Sequence, residues 1–132
     1  MDKVQVYIEH ELNSTSTATV WKMLSTPQGM ERWLADTVTL KDDMLTFTWG
    51  SPYDHHEMRQ ANIVVCKKNF CIRFVWTDES NLGTYVEIKM ERMPLTGAYI
   101  LRITDFIESD DRQWLLDTWG HNFRRLRRTS GL

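Results

Sequence analysis

The sequence predicts an α+β fold in which one antiparallel sheet curves around a long C-terminal helix. Three observations carry this. Apolar and polar residues alternate with period two over residues 4–12 and again from Asp36 to Phe106. Two short stretches with helical spacing separate these regions, and the last segment, after Ser109, is helical throughout. With 132 residues, one domain spanning residues 1–132 is expected. A chain of this size buries roughly two thirds of its unfolded surface, enough for a core without disulfides or metal.

Val4, Val6, Ile8, His10 and Leu12 share one face of the first strand, opposite Gln5, Tyr7, Glu9 and Glu11. The hydroxyl run Ser14-Thr15-Ser16-Thr17 offers N-caps to a helix carrying Val20, Trp21 and Leu24. Thr26-Pro27 starts a second short helix with Met30, Trp33 and Leu34 on one face. About six strands follow. Their inward positions are Phe47 and Trp49; Arg59, Ala61, Ile63 and Val65; Phe74 and Trp76. The last two strands add Val86, Ile88 and Met90, then Leu101 and Ile103. Turns are expected at Gly50-Ser51-Pro52 and Lys67-Lys68-Asn69, and a polar loop over Asp78–Gly83. The final helix opens with Ser109 as N-cap and two acidic residues, and closes with Arg124, Arg125, Arg127 and Arg128, complementing its dipole at both ends. Leu115, Leu116, Trp119, Phe123 and Leu126 cover an arc of about 100°, with Trp114 outside it.

Sixteen Lys and Arg against eighteen Asp and Glu leave a formal charge of −2, which argues against nucleic-acid binding through bulk charge. The longest apolar runs, Ile63–Cys66 and Ala98–Leu101, are far too short for a membrane span or signal-peptide core, so a cytoplasmic protein is expected. Six Trp and seven Met are unusual and favour an adaptable apolar interior. His55-His56-Glu57 is the one histidine cluster, but neighbours on a strand face opposite sides and chelate poorly. Cys66 and Cys71 have the same parity across a turn, so a cross-strand contact is conceivable, yet free thiols are the expectation. Neither a metal nor a cofactor is expected. Phosphate-binding loops, dinucleotide fingerprints and nucleophile elbows are all missing from the sequence.

The order of elements is the helix-grip layout. Residues 19–36, TVWKMLSTPQGMERWLAD, resemble the opening motif of the START-like family that includes the activators of the heat-shock protein 90 ATPase. Ile103-Thr104-Asp105-Phe106, the acidic helix start, Trp119 and the Arg-rich end resemble its closing pattern. Phe47-Thr48-Trp49-Gly50 is most similar to a bacterial START-like branch. The resemblance implies a non-catalytic module that holds a hydrophobic or amphipathic small molecule between sheet and helix. The candidate ligand-binding residues are then Trp33, Phe47, Trp49, Arg59, Ile63, Phe74, Trp76, Val86, Ile88, Met90, Leu101, Ile103, Leu115, Trp119 and Phe123. Inward polar groups at His10, Arg59 and Asp105 are candidates to orient a polar head, Arg59 first, and are also the only acid/base candidates for a catalytic alternative. A second implied reading is a co-chaperone-like module whose surface engages a chaperone or another protein, with the four C-terminal arginines as the candidate patch.

Overall fold

A computed structural model describes residues 3–51 and 56–132. The strands are β1 (Lys3–Glu11), β2 (Thr37–Lys41), β3 (Met44–Gly50), β4 (His56–Lys67), β5 (Cys71–Trp76), β6 (Val86–Arg92) and β7 (Tyr99–Glu108). The helices are α1 (Thr17–Ser25), α2 (Pro27–Met30) and α3 (Arg112–Ser130). All seven strands form one antiparallel sheet in the order β1-β7-β6-β5-β4-β3-β2. The expected α+β helix-grip architecture is present, with six strands after the two short helices. Pro52 and His55, named above in a turn and in the histidine cluster, lie outside the described residues.

The alternation has a direct consequence in the register. Val6 opposes Asp105, Ile8 opposes Ile103, Ile103 opposes Ile88, and Ile88 opposes Ile72, so one inward row crosses four strands. Asp42 and Asp43, with φ of 51° and 63°, form the two-residue turn between β2 and β3; positive φ at both positions matches the twist of the flanking strands.

The TP-x-G segment has a physical reason for each of its residues. Thr26 caps α2 by accepting from the Gly29 N–H at 3.0 Å, and Pro27 occupies the first turn, where no donor is needed. A Cβ on Gly29 would stand 2.0 Å from the Lys22 carbonyl oxygen, so only glycine lets α2 fold back on α1 this closely.

Three local expectations need correction. The second helix stops at Met30; Arg32 and Trp33 N–H then bond three residues back, so the chain tightens into turns that still bury Met30, Trp33 and Leu34. A bulge in β4 follows Ile63, which opposes Phe74, while Val65 opposes Arg73. Val64 is the extra residue, and it rotates Val65 onto the outer face that carries Arg73. The same shift sets Cys66 opposite Ile72 and Cys71 opposite Lys67, on different faces of the sheet, and both thiols are free. Finally, Ser109 begins a 3₁₀ turn (Ser109–Asp111) rather than capping α3, and Asp111 at the cap position makes no side-chain cap bond. The other end is better satisfied: Gly131, at φ 79°, donates to the Arg127 carbonyl at 2.8 Å.

Leu115, Trp119, Phe123 and Leu126 are the buried face of α3, as the wheel predicts, and Leu116 is half-buried beside them. The C-terminal half of α3 is fastened to the segment after α2. Arg125 donates to the carbonyls of Glu31 (3.1 Å) and Ala35 (2.9 Å) and pairs with Asp36 at 3.2 Å. Thr129 and Arg32 exchange two further bonds of 2.9 Å. Trp33, fully buried and bonded through Nε1 to the Met23 carbonyl at 3.0 Å, fills the space beneath.

Candidate functional site

Toward the N-terminal half of α3 the two layers separate and leave a cavity of about 510 Å³. Its floor is aromatic. Phe47, Phe74 and Trp76 meet pairwise with ring centres 5.5 Å apart, tilted or edge-on, and Trp49 packs on Phe47 at 6.1 Å. Each ring is placed by strand parity, and the Trp49 orientation is set by its Nε1 bond to the Leu34 carbonyl at 2.9 Å. The α3 wall consists of Trp114, Leu115, Thr118, Trp119 and Asn122. Four of the six tryptophans thus line one space, and none of the described methionines does.

One end of the cavity is charged. Arg59, on the inner face of β4, forms a two-bond ion pair with Asp78 (2.9 and 3.2 Å) and a second pair with Glu79. Its guanidinium also stacks on Trp76, 4.1 Å from the ring centre. Glu79 is buried in the 3₁₀ turn Thr77–Glu79, where Lys3 from β1 and Thr84 also donate to it. Burial alone pushes the Glu79 carboxyl up, but the bonds from Lys3 and Arg59 outweigh that and hold it below the ordinary carboxylate range.

Asp105 is different. It lines the cavity from β7, accepting at Oδ1 from its neighbour Phe106 N–H (2.7 Å) and at Oδ2 from Trp119 Nε1 (2.9 Å). Protein surrounds it on most sides and it pairs with no cation among the described residues, so desolvation pushes its pKa up to about 6 despite those two hydrogen bonds. Its bond to Trp119 ties the N-terminal half of α3 to the sheet.

Of the candidate ligand-binding residues, Phe47, Trp49, Arg59, Phe74, Trp76, Val86, Leu115 and Trp119 line this cavity. Trp33, Ile88, Met90, Leu101, Ile103 and Phe123 are packed in the core beyond it, and Ile63 is half-buried against that core. Of the polar candidates, Arg59 and Asp105 come together at the cavity. His10 does not: it stacks on Phe123 at 4.1 Å and borders a separate recess with Gly120, Arg124 and Arg127, where burial lowers its pKa. Arg125 is committed to the α2–β2 connection, which removes it from any free basic patch. Lys3, Leu34, Glu57, Glu79, Phe106, Ile107, Trp114, Thr118 and Asn122 also line the cavity and are not among the candidates. Glu79 lies in a polar loop with no periodic signal, whereas Trp114 sits just off the apolar arc, a position a cavity edge explains. Among the described residues no group of three His, Cys, Asp or Glu side chains is placed to hold a metal, and no helix is long and apolar enough to cross a membrane.

A curved sheet closing over a long helix, with an aromatic cavity between them, defines a helix-grip protein. The family model of the START-like superfamily domain matches residues 1–131, and the chain belongs to that superfamily. A Bacteroides fragilis protein solved by NMR in solution is 43% identical over 98% of this chain and 92% of its own, with a TM-score of 0.65. The Aha1 dimer from Colwellia psychrerythraea (15% identity, 93% and 92% coverage, TM-score 0.67) has the same fold. So has an AHSA1-like protein from Aeromonas hydrophila (15% identity, 97% and 94% coverage, TM-score 0.73). No curated protein matches the chain.

Proposed function

We propose that this START-like domain, acting as one unit over residues 1–132, is a non-catalytic module that holds a hydrophobic or amphipathic small molecule between the sheet and α3. The observation that carries the reading is the cavity of about 510 Å³ floored by Phe47, Trp49, Phe74 and Trp76 and walled by Trp119. Small-molecule sites are typically concave, largely apolar and furnished with a few fixed polar groups, and this volume falls within their usual range. A floor of mutually packed rings is preorganised, so little ordering is needed on binding.

Native mass spectrometry of freshly purified protein tests it. The expected result is a bound small molecule that is lost when Thr118→Trp fills the cavity from α3 while the variant remains folded. Protein free of adducts that also binds none of a panel of fatty acids, sterols and flat aromatics would remove the reading. In that event the co-chaperone-like alternative takes first place, with its basic surface reduced to Arg124, Arg127 and Arg128.

A further inference from the structure

We infer that the cavity selects amphiphiles with a cationic head, an amine carrying an apolar tail or ring, with the ammonium at Asp105 and the apolar part on the aromatic floor. The inference rests on the preceding reading that the cavity holds a small molecule, and adds the sign of its charge.

Charge bookkeeping around the cavity leads to this. Among the described residues two cations line it, Lys3 and Arg59, and both are committed. Arg59 is held by Asp78 and Glu79, and Lys3 by Glu79, so two positive and two negative charges close into a neutral cluster. An anionic head reaching Arg59 must displace a carboxylate already bonded to it, in a geometry the Trp76 ring also fixes. The remaining charged groups of the lining are both acids, Asp105 from β7 and Glu57 from the start of β4. Neither has an ion-pair partner among the described residues.

Asp105 has the geometry of a receptor for a donor. Each of its oxygens accepts one protein hydrogen bond, which leaves acceptor capacity on both. Those two bonds fix the carboxylate in place without neutralising it. The walls favour the same sign, because aromatic rings present a negative face that attracts cations, and Trp49, Trp114 and Trp119 stand around the same space. Thr118 and Asn122, the neutral polar residues of the wall, serve either sign. An ammonium at Asp105 replaces the missing counter-charge, whereas a carboxylate or phosphate there adds a third negative group.

Three probes of equal chain length separate the possibilities: decylamine, decanol and decanoate, titrated below their micelle concentrations with indole N–H signals as readout. Decylamine is expected to bind about tenfold more tightly than decanol, equivalent to about 1.4 kcal/mol, and decanoate more weakly than either. Asp105→Asn is expected to remove most of the amine's advantage while decanol binding persists. Glu57→Gln, which keeps the size of an exposed side chain at the start of β4, should reduce the advantage by a smaller factor. That second variant, with the wild-type order, decides the matter if Asp105→Asn does not fold. Decanol binding as tightly as decylamine would overturn the inference and leave the cavity reading intact. Failure of both decanol and decylamine to bind would overturn both. A full amine preference persisting in folded Asp105→Asn would overturn the assignment to Asp105.

Discussion

Trp33 and Trp76 lie under the two halves of the same helix, and the contrast between them organises the molecule. Around Trp33 the layers are closed: the ring is fully buried, its N–H is bonded to the Met23 carbonyl, and it packs against Phe123 and Trp119. Around Trp76 the same kind of residue borders empty space, with Phe47 and Phe74 meeting it edge-on and the Arg59 guanidinium stacked on its face. The difference follows from what holds α3. Its C-terminal half is fastened by Arg125 and Thr129 to the segment after α2, which brings α1, α2 and Trp33 in as filling. Its N-terminal half has no such insert beneath it and meets the sheet through the Trp119–Asp105 bond. Aromatic content therefore does not decide between core and cavity; the presence of a third packing element does.

The largest effect expected from breaking this contrast is at Trp33. Trp33→Ala removes a fully buried ring in the closed half and should cost about 3–5 kcal/mol, read from urea unfolding. Trp76→Ala, at a half-buried wall already bare on one side, should cost about half of that or less, because fewer contacts are lost. Equal costs for the two would mean the interior is equally solid at both ends.

A second prediction concerns the pH dependence of stability. The ordinary Asp value is 3.8 and burial lifts Asp105 to about 6 in the folded protein, so the folded state binds this proton more tightly than the unfolded one. The stability it contributes is fully present below about pH 4 and lost as pH rises through about 6. The groups facing it act unequally: Glu79 pushes it up, while Arg59, Trp119 Nε1 and the Phe106 N–H pull it down. Between pH 4 and 7 wild type should therefore lose up to about 3 kcal/mol relative to Asp105→Asn, since a tenfold difference in proton affinity between the folded and unfolded states is worth about 1.4 kcal/mol. Parallel stability curves for the two proteins would contradict the burial assigned to Asp105.

The smallest effect lies where the two halves of α3 meet. A Cβ on Gly120 would find only the flexible end of Arg124 at 3.5 Å. Gly120→Ala should leave stability unchanged or raise it by up to about 1 kcal/mol through helix propensity. A loss above about 2 kcal/mol would show that α3 bends there or approaches another backbone.

These regions also differ in how far the sequence announces them. Alternation assigns Phe47, Phe74, Trp76 and Val86 to the inner face, because period two reports sidedness directly. It cannot report how far the opposite layer stands away, so Ile88 and Met90, on the same strand as Val86, look identical to it although they lie in the packed core. Val65 is misread because one extra residue at Val64 inverts parity, and a bulge carries no composition signal here. Glu79 escapes notice for another reason: its importance comes from Lys3 and Arg59, 76 and 20 residues away in the chain. At the TP-x-G corner Thr26 and Pro27 are legible as cap and first-turn residue, whereas the need for Gly29 comes from its approach to the Lys22 carbonyl of α1 and shows only in the fold.

The most direct test of the open half against the closed half uses the tryptophans themselves. Trp49, Trp76, Trp114 and Trp119 line the cavity, while Trp33 and Trp21 do not. Titrating an apolar probe such as decanol into labelled protein should shift the four cavity indole N–H signals and leave those of Trp33 and Trp21 in place. Shifts spread equally over all six, or confined to Trp33 and Trp21, would contradict a binding cavity beneath the N-terminal half of α3.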